Sequence, residues 1–228
     1  MICRRIWSRR WPDLDAKAGR GYAAWQSQGR ESVTGDHASE RVKIFQIGHP
    51  VIRAKAAPVS LPLAEGDKQC IATMTAAMRQ AGLVGIAAPQ IGASKRIFLS
   101  EIRAGNSRNV KEDGLRIFLN PEILDYSADK QVDYEGCGSV ADSNLFGEVE
   151  RSQSVTVRYF DEMGQQKTET FEGLLARIVQ HEFDHLEGVV FTDKLYRTTT
   201  LMSGSTYRDM RAQQQAATAS VVPGRTMS

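Results

Sequence analysis

The sequence predicts an α+β fold, in which antiparallel sheets pack around a helix that lies late in the chain. Five stretches rich in β-branched and aromatic residues predict strands, at residues 96–102, 115–120, 130–134, 154–160 and 165–171. They precede an amphipathic run, residues 171–186, whose apolar side chains recur at helical spacing. Strands that are grouped before a helix, rather than alternating with helices, favour an α+β fold over a parallel sheet.

The other elements follow from local signals. Residues 67–81 predict a helix, with Asp67 as its N-cap and apolar side chains at helical spacing after it. Cys70 lies in this helix and is interpreted as a small buried apolar residue. Residues 161–164 contain the acidic and glycine residues of a turn, and we expect them to join the last two strands in a hairpin.

The chain organises into three stretches. With 228 residues and 41% hydrophobic content, it is long enough to bury one core between two tails. Residues 1–41 form a basic leader without the apolar segment of a secretory signal; we expect it to be disordered, with organelle targeting as the alternative. Residues 42–195 are the predicted catalytic domain, and residues 196–228 a polar tail that is helical around residues 207–217 and otherwise frayed.

Composition narrows the cellular setting. The net charge of +2 gives no indication of sequence-specific nucleic-acid binding. Three cysteines indicate a reducing compartment rather than a disulfide framework. No apolar run approaches the ~18 residues that span a bilayer. We therefore expect a cytoplasmic protein that is not bound to a membrane.

The most informative motif lies in the amphipathic run and reads His181-Glu182-Phe183-Asp184-His185. Residues four apart lie one turn above each other on the same helix face, so both imidazoles can bind one metal ion. The glutamate beside the first histidine can then exchange protons with a metal-bound water. The alternative is a solvated helix face that carries two histidines by chance, and the motif alone leaves it open.

A hydrolytic metal site usually has three protein ligands and one open position. Cys137 is the best candidate for the third ligand, because the glycines on both sides of it let the backbone approach a metal or substrate closely. The competing residues are less suited: Cys70 fits a helix interior, His49 precedes a proline that favours a turn, and Cys3 lies in the leader.

A third segment, residues 85–92, is small and apolar and contains one amide side chain, that of Gln90. It is either a tight loop with a solvated Gln90 or a strand edge that faces the substrate. In the second case the Gln90 amide donates a hydrogen bond to a developing oxyanion. The segment alone does not separate these two interpretations.

Taken together and in order, these segments resemble the signature motifs of peptide deformylases. Residues 83–90 match the first motif, residues 135–139 the second and residues 180–185 the third. The resemblance covers residues 42–195. It implies antiparallel sheets packed around a central helix that carries the two histidines. It also implies an enzyme that removes the N-formyl group from the N-terminal methionine of new polypeptides, at the ribosome exit, and releases formate.

The resemblance implies that Cys137, His181 and His185 bind one divalent metal ion per chain. Iron(II) is the expected ion, with zinc, nickel or cobalt as alternatives. It further implies that Glu182 accepts the proton of the attacking water and gives it to the leaving amine.

Other roles also follow from the resemblance. The Gln90 amide and the Gly138 backbone N–H are expected to donate to the formyl oxygen. Five residues are expected to line the methionine pocket or to hydrogen-bond an extended peptide: Val84, Gly85, Gly136, Leu174 and Ile178. The alternative for the three with aliphatic side chains is an ordinary place in the core.

Three polar residues are expected close to the metal ligands. Glu135 and Arg151 are implied to pair beneath the metal loop, which is the loop that contains Cys137. Asp184 is expected to accept from a ligand imidazole or to cap local backbone, with a solvated carboxylate as the alternative.

Two positions depart from the pattern of the family. Leu83 stands where the first motif has a glycine, and Gly138 stands where the second motif has a larger residue. Both departures lie close to the proposed metal. They motivate one alternative to the deformylase, a related metal amidase for another N-acylated substrate. A non-enzymatic metal- or peptide-binding relative is a further alternative, and the presence of Glu182 argues against it.

Overall fold

The computed structural model describes residues 42–103 and 111–220. The predicted leader, residues 1–41, lies outside the described residues. Four α-helices are present in the described ranges: α1 (Pro50–Arg53), α2 (Glu65–Gln80), α3 (Gly173–Leu186) and α4 (Gly204–Ser220). None of the helices in this part of the chain is both long enough and apolar enough to span a bilayer.

Five strands form an antiparallel sheet in the order β1-β2-β3-β6-β7. Their bounds are Gly85–Ala87, Ile97–Ile102, Asp113–Tyr126, Ser154–Phe160 and Gln166–Glu172. The predicted hairpin turn is confirmed, because Gly164 N–H donates to the Asp161 carbonyl at 2.9 Å between β6 and β7. Among the described strands β1 pairs with β2 alone, and it is therefore an edge strand of this sheet.

A second antiparallel sheet has the order β4-β5-β8. Its strands are Lys130–Gly136, Leu145–Ser152 and Met202–Ser203. β4 is an edge strand of this sheet, as β1 is of the larger sheet. β1 lies within the first motif, residues 83–90, and β4 ends within the second motif, residues 135–139. The antiparallel sheets and late helix confirm the α+β prediction.

Helix α3 carries the two histidines and begins directly after β7. Gly173 makes the change of direction with φ of +58°, a conformation that glycine adopts without a steric penalty. The apolar face of α3 packs on the large sheet through Ala176, Val179 and Leu186. The core on that side is aromatic, with the rings of Phe98 and Phe118 stacked at a centroid distance of 4.3 Å.

The opposite side of α3 faces the small sheet. The Gln180 side chain bonds Ser152 in both directions, accepting from its N–H at 3.2 Å and donating to its carbonyl at 2.9 Å. Helix α2 covers a separate apolar cluster on the large sheet, with Met74, Ala77 and Met78 against β1 and β2. The central helix is therefore held between the two sheets.

Several element bounds differ from the predictions. Helix α2 begins at Glu65 with Ala64 as N-cap, so the N-cap prediction for Asp67 is wrong. Asp67 instead lies in the first turn, where its carboxylate accepts from the Ala64 N–H at 3.2 Å. Helix α3 begins two residues later than predicted, because Phe171 belongs to β7.

The sheets also extend further than predicted. β3 runs through Pro121 to Tyr126, with a register shift between Leu119 and Glu122 that accommodates the proline. The sequence did not predict β5. Residues 196–203, predicted to be frayed, contact the small sheet instead: Tyr196 N–H donates to the Glu148 carbonyl at 2.8 Å, and β8 pairs with β5.

Helix α4 also contacts the small sheet, through one aromatic side chain. The ring of Tyr207 stacks on Phe146 of β5 at a centroid distance of 4.1 Å and lies 5.8 Å from the ring of Tyr134 of β4. The predicted helix around residues 207–217 is therefore present. It is longer than predicted, Gly204–Ser220, and Tyr207 holds it against the small sheet.

Candidate metal centre

Cys137, His181 and His185 come together at the end of β4 and the centre of α3. Their donor atoms lie within 4.8 Å of one another, and Cys137 Sγ is 3.2 Å from His185 Nε2. A tetrahedral ion with bonds of about 2.3 Å to sulfur and about 2.0 Å to nitrogen needs donors roughly 3.5 Å apart. The three side chains thus fit a divalent ion, with a soft thiolate and two imidazoles as donors.

The orientation of His181 is fixed by Glu135. The Nδ1 atom of His181 lies 2.9 Å from Glu135 Oε2, which leaves Nε2 available for a metal. The sequence suggests Asp184 as an acceptor for a ligand imidazole, and the structure corrects this. Among the described residues the Asp184 carboxylate meets two cations instead, Arg151 Nη1 at 2.6 Å and Lys194 Nζ at 2.6 Å.

Glu135 is the centre of a buried charge network. Arg151 donates to both of its carboxylate oxygens at 2.9 Å, as the expected pair, and Arg177 Nη1 donates to Oε1 at 2.8 Å. Burial on its own would raise the pKa of Glu135. Hydrogen bonds from His181 and Arg151 outweigh burial and hold that pKa well below its usual range. Glu135 is therefore ionised at neutral pH.

Arg177 is a residue of the site that was not predicted from the sequence. Besides Glu135, its guanidinium donates to the Val149 carbonyl at 2.9 Å and to the Gln131 carbonyl at 2.7 Å. It thus connects α3 to both β4 and β5. Its position one turn before His181 was the available signal, since a buried arginine on the ligand face of a helix requires an acidic partner.

Glu182 is buried beside the ligands, with a side chain that meets β1. Burial raises its pKa to about 7, and the neighbouring charge of Glu135 adds to this effect while His181 opposes it. Its Oε2 atom has no hydrogen-bond partner within the described residues. A Cβ at Gly85 would lie only 2.9 Å from Glu182 Cδ, so glycine is needed there to admit the carboxyl group.

Gln90 lies in a short 3₁₀ helix, Ala88–Ile91, and is buried rather than solvated. Its Oε1 accepts from the Ala87 N–H at 2.8 Å, which fixes the amide. Its Nε2 then points towards the metal loop, 3.5 Å from Cys137 Sγ and 3.3 Å from Ser139 Oγ. The amide donor therefore lies next to the ligand sulfur.

A pocket opens onto these groups. The five predicted substrate residues, Val84, Gly85, Gly136, Leu174 and Ile178, all line it, together with Gln90, Cys137, Gly138, His181 and Glu182. Leu83, which the sequence placed close to the metal, lines it as well. Tyr134 and Arg177 also line it, although the sequence did not predict them there. The pocket lies between the β1 edge and the β4 edge, with α3 as its third side.

Comparison with known proteins places the chain among metallohydrolases. The family model of polypeptide deformylase matches residues 41–200. A peptide deformylase of Pseudothermotoga lettingae is 43% identical over 152 residues, which cover 66% of this chain and 81% of the relative.

Solved structures give the same result. The peptide deformylase of Thermotoga maritima aligns with a TM-score of 0.60 and 37% identity, over 69% of this chain and 99% of that one. A class I type b peptide deformylase of Acinetobacter baumannii, solved with Met-Ala-Ser bound, aligns with a TM-score of 0.64 and 35% identity, over 69% and 99% of the two chains.

Proposed function

Because the chain belongs to the polypeptide deformylase family, we infer that it hydrolyses the N-formyl group from the N-terminal methionine of newly made polypeptides and releases formate. The observation that carries this inference is one pocket that contains a Cys/His/His group, a buried glutamate and a fixed amide donor. The chain is thus a metal-dependent hydrolase of protein biosynthesis.

In the proposed site Cys137, His181 and His185 hold the metal ion. When bound, the ion supplies a Lewis acid that lowers the pKa of a water molecule. Glu135 keeps the His181 ring in the tautomer that presents Nε2, and the hydrogen bonds from His181 and Arg151 keep Glu135 ionised.

Glu182 is the proposed general base and acid. It takes a proton as water attacks the formyl carbon, and it returns the proton to the methionine nitrogen as the C–N bond breaks. A carboxyl group with a pKa of about 7 is suited to both transfers near neutral pH. Its burial also keeps bulk water away from the proton that it holds.

Gln90 and Gly138 are the proposed donors to the formyl oxygen. The Gln90 amide cannot rotate away while its oxygen accepts from Ala87, and its Nε2 lies on the side of the Cys137 sulfur. Donors that are already in position stabilise the developing negative charge, and loss of one such donor typically slows the reaction on the order of a hundred- to a thousand-fold.

The proposed substrate lies as an extended strand between the β1 and β4 edges. Backbone groups of Val84 and Gly136 would pair with it, and the methionine side chain would lie against Leu174 and Ile178 of α3. The complex of the Acinetobacter baumannii enzyme with Met-Ala-Ser supports a methionyl peptide as the occupant.

The proposed ion is iron(II), since one thiolate with two imidazoles suits it, although zinc, nickel and cobalt fit the same donors. The proposed place of action is the ribosome exit region in the cytoplasm, where formylated N-termini first emerge. Elemental analysis of protein purified without oxygen tests the ion, and cosedimentation with translating ribosomes tests the location. Zinc at full occupancy, or no cosedimentation, would contradict these two proposals.

Release of free amine from formyl-Met-Ala-Ser by metal-loaded protein tests the reaction. We expect turnover with formyl-Met-Ala-Ser and none with acetyl-Met-Ala-Ser, because the added methyl group enlarges the acyl group next to the metal loop. Equal turnover of both peptides would favour an amidase of broader substrate range. No hydrolysis of either by a fully loaded sample would favour a peptide-binding protein.

A further inference from the structure

Leu83 and Gly138 both line the pocket and lie next to each other there. A Cβ placed on Gly138 would lie 3.0 Å from Leu83 Cδ1, and 3.5 Å from Ile44 Cδ1. Such a distance to Leu83 is tighter than ordinary van der Waals contact. The space in front of Gly138 is therefore already occupied by the side chain of Leu83.

The backbone does not require glycine at position 138. Gly138 does not have a positive φ, so its backbone conformation is compatible with an L side chain. Its carbonyl accepts from Gln46 Nε2 at 2.8 Å, a bond that any residue can make. The limit on this position is thus steric, and Leu83 imposes it.

Leu83 is held firmly in this place. Its N–H donates to the Met78 carbonyl at 2.9 Å at the end of α2, and its carbonyl accepts from Arg103 Nη2 at 3.1 Å. Its side chain packs on the cluster beneath α2 and also lines the pocket. A fixed aliphatic side chain therefore covers the pocket from the side of β1.

We propose that Leu83, in the space left by Gly138, is a specificity residue that contacts the peptide residue directly after the formylmethionine. This inference rests on the proposed deformylase function. Successive side chains of an extended strand point to opposite faces. With the methionine against Leu174 and Ile178 of α3, the next side chain faces away from α3, towards the apolar surface of Leu83. Aliphatic residues at that position gain buried area there.

A double-mutant cycle of Leu83→Ala and Gly138→Leu tests the steric part. Each variant is loaded with metal, and its metal content and melting temperature are measured before kinetics. We expect Gly138→Leu to lower the melting temperature and to reduce kcat/KM at least tenfold, because its side chain meets Leu83. In the double variant Leu83→Ala removes the obstructing methyl groups. The melting temperature should then recover, and kcat/KM should return to within about threefold of the parent, because the effects of two residues in contact are not additive.

Peptide series test the specificity part. Leu83→Ala should reduce the ratio of kcat/KM for formyl-Met-Val-Ser to kcat/KM for formyl-Met-Gly-Ser at least threefold. The change should lie in KM rather than in kcat. Leu124→Ala, an exposed leucine on β3 away from the pocket, is the matched control and should keep the preference of the parent.

The outcomes separate this proposal from the proposed function. Additive effects on the melting temperature, or an unchanged valine preference in Leu83→Ala, would overturn the specificity role while deformylation remains. If the parent protein does not hydrolyse formyl peptides, the melting-temperature cycle and direct binding of Met-Val-Ser and Met-Gly-Ser still test the contact. Equal affinity of the parent for those two peptides would refute it.

Discussion

Replacement of Glu135 by glutamine tests whether the buried charge network supports the fold and the metal centre together. Glutamine keeps the shape of the side chain but removes its negative charge, and its amide N–H₂ would face a guanidinium donor. Arg151, Arg177 and His181 all lie within 2.9 Å of the carboxylate, and both Glu135 and Arg151 side chains are only 4% exposed. Water cannot replace the lost partner.

The expected cost is large. Removal of one member of a buried ion pair typically destabilises a protein by about 3–5 kcal/mol. Because Glu135 also orients His181, we expect metal affinity to fall about 10- to 100-fold. Urea unfolding of the metal-depleted protein at pH 7 measures the first effect, and metal titration of the folded protein measures the second.

Glu150→Gln is the matched control, because Glu150 pairs with Lys130 on the neighbouring strand at 3.5 Å with both side chains largely exposed. Its cost should stay below about 1 kcal/mol. If Glu135→Gln destabilises the protein no more than Glu150→Gln does, and binds metal as tightly as the parent, the network supports neither the fold nor the metal centre.

The same network predicts a pH dependence. The pKa of Glu135 is held well below its unfolded value, so its contribution is complete above the unfolded pKa of glutamate and is lost as the pH falls through the folded pKa. The difference in unfolding free energy between parent and Glu135→Gln should therefore be smaller in strong acid than near pH 6. A difference that is as large in strong acid as near pH 6 would refute this account.

Three further variants test individual groups. Glu182→Gln should retain metal, as measured by elemental analysis, and lose turnover. Because the pKa of Glu182 is raised to about 7 in the folded protein, this buried acid lowers stability as the pH rises from its unfolded pKa to about 7. The metal-depleted variant should therefore have a higher melting temperature than the parent at pH 8 but not at pH 4. Gly85→Ala should lower kcat with metal content unchanged, because its Cβ displaces the Glu182 carboxylate, whereas Gly114→Ala has open space and should have little effect. Cys137→Ala should lose most bound metal by elemental analysis, and full occupancy in this variant would disprove the ligand set.

The sequence allowed prediction of features with a local cause. Two histidines four residues apart must share one helix face, so the place of His181 and His185 followed from spacing alone. Strand Ser154–Phe160 and its turn were predictable for the same reason, since β-branched residues and a glycine at the turn act locally. The third ligand is different: the flanking glycines and the lack of a better donor suggested Cys137, and the family resemblance supported it, but no local pattern brings it to a helix that lies far along the chain.

The missed features depend on distant partners. Strand β5 contains three charged residues, Glu148, Glu150 and Arg151, and pairing with β4 rather than its own propensity makes it a strand. Arg177 was missed because an arginine on a helix is usually solvated, and it is buried only where Glu135 and two strand carbonyls meet it.

The position of the three ligands has a consequence for folding. Cys137 directly follows β4 of the small sheet, whereas His181 and His185 belong to a helix whose apolar face packs on the large sheet. A bound ion therefore cross-links the two sheets across the pocket. An ion at a free concentration of about a thousand times its dissociation constant adds about 4 kcal/mol to the stability of the folded state. Oxidation of the Cys137 thiol would remove this cross-link, so it would loosen the β1 and β4 edges on either side of the pocket as well as release the ion.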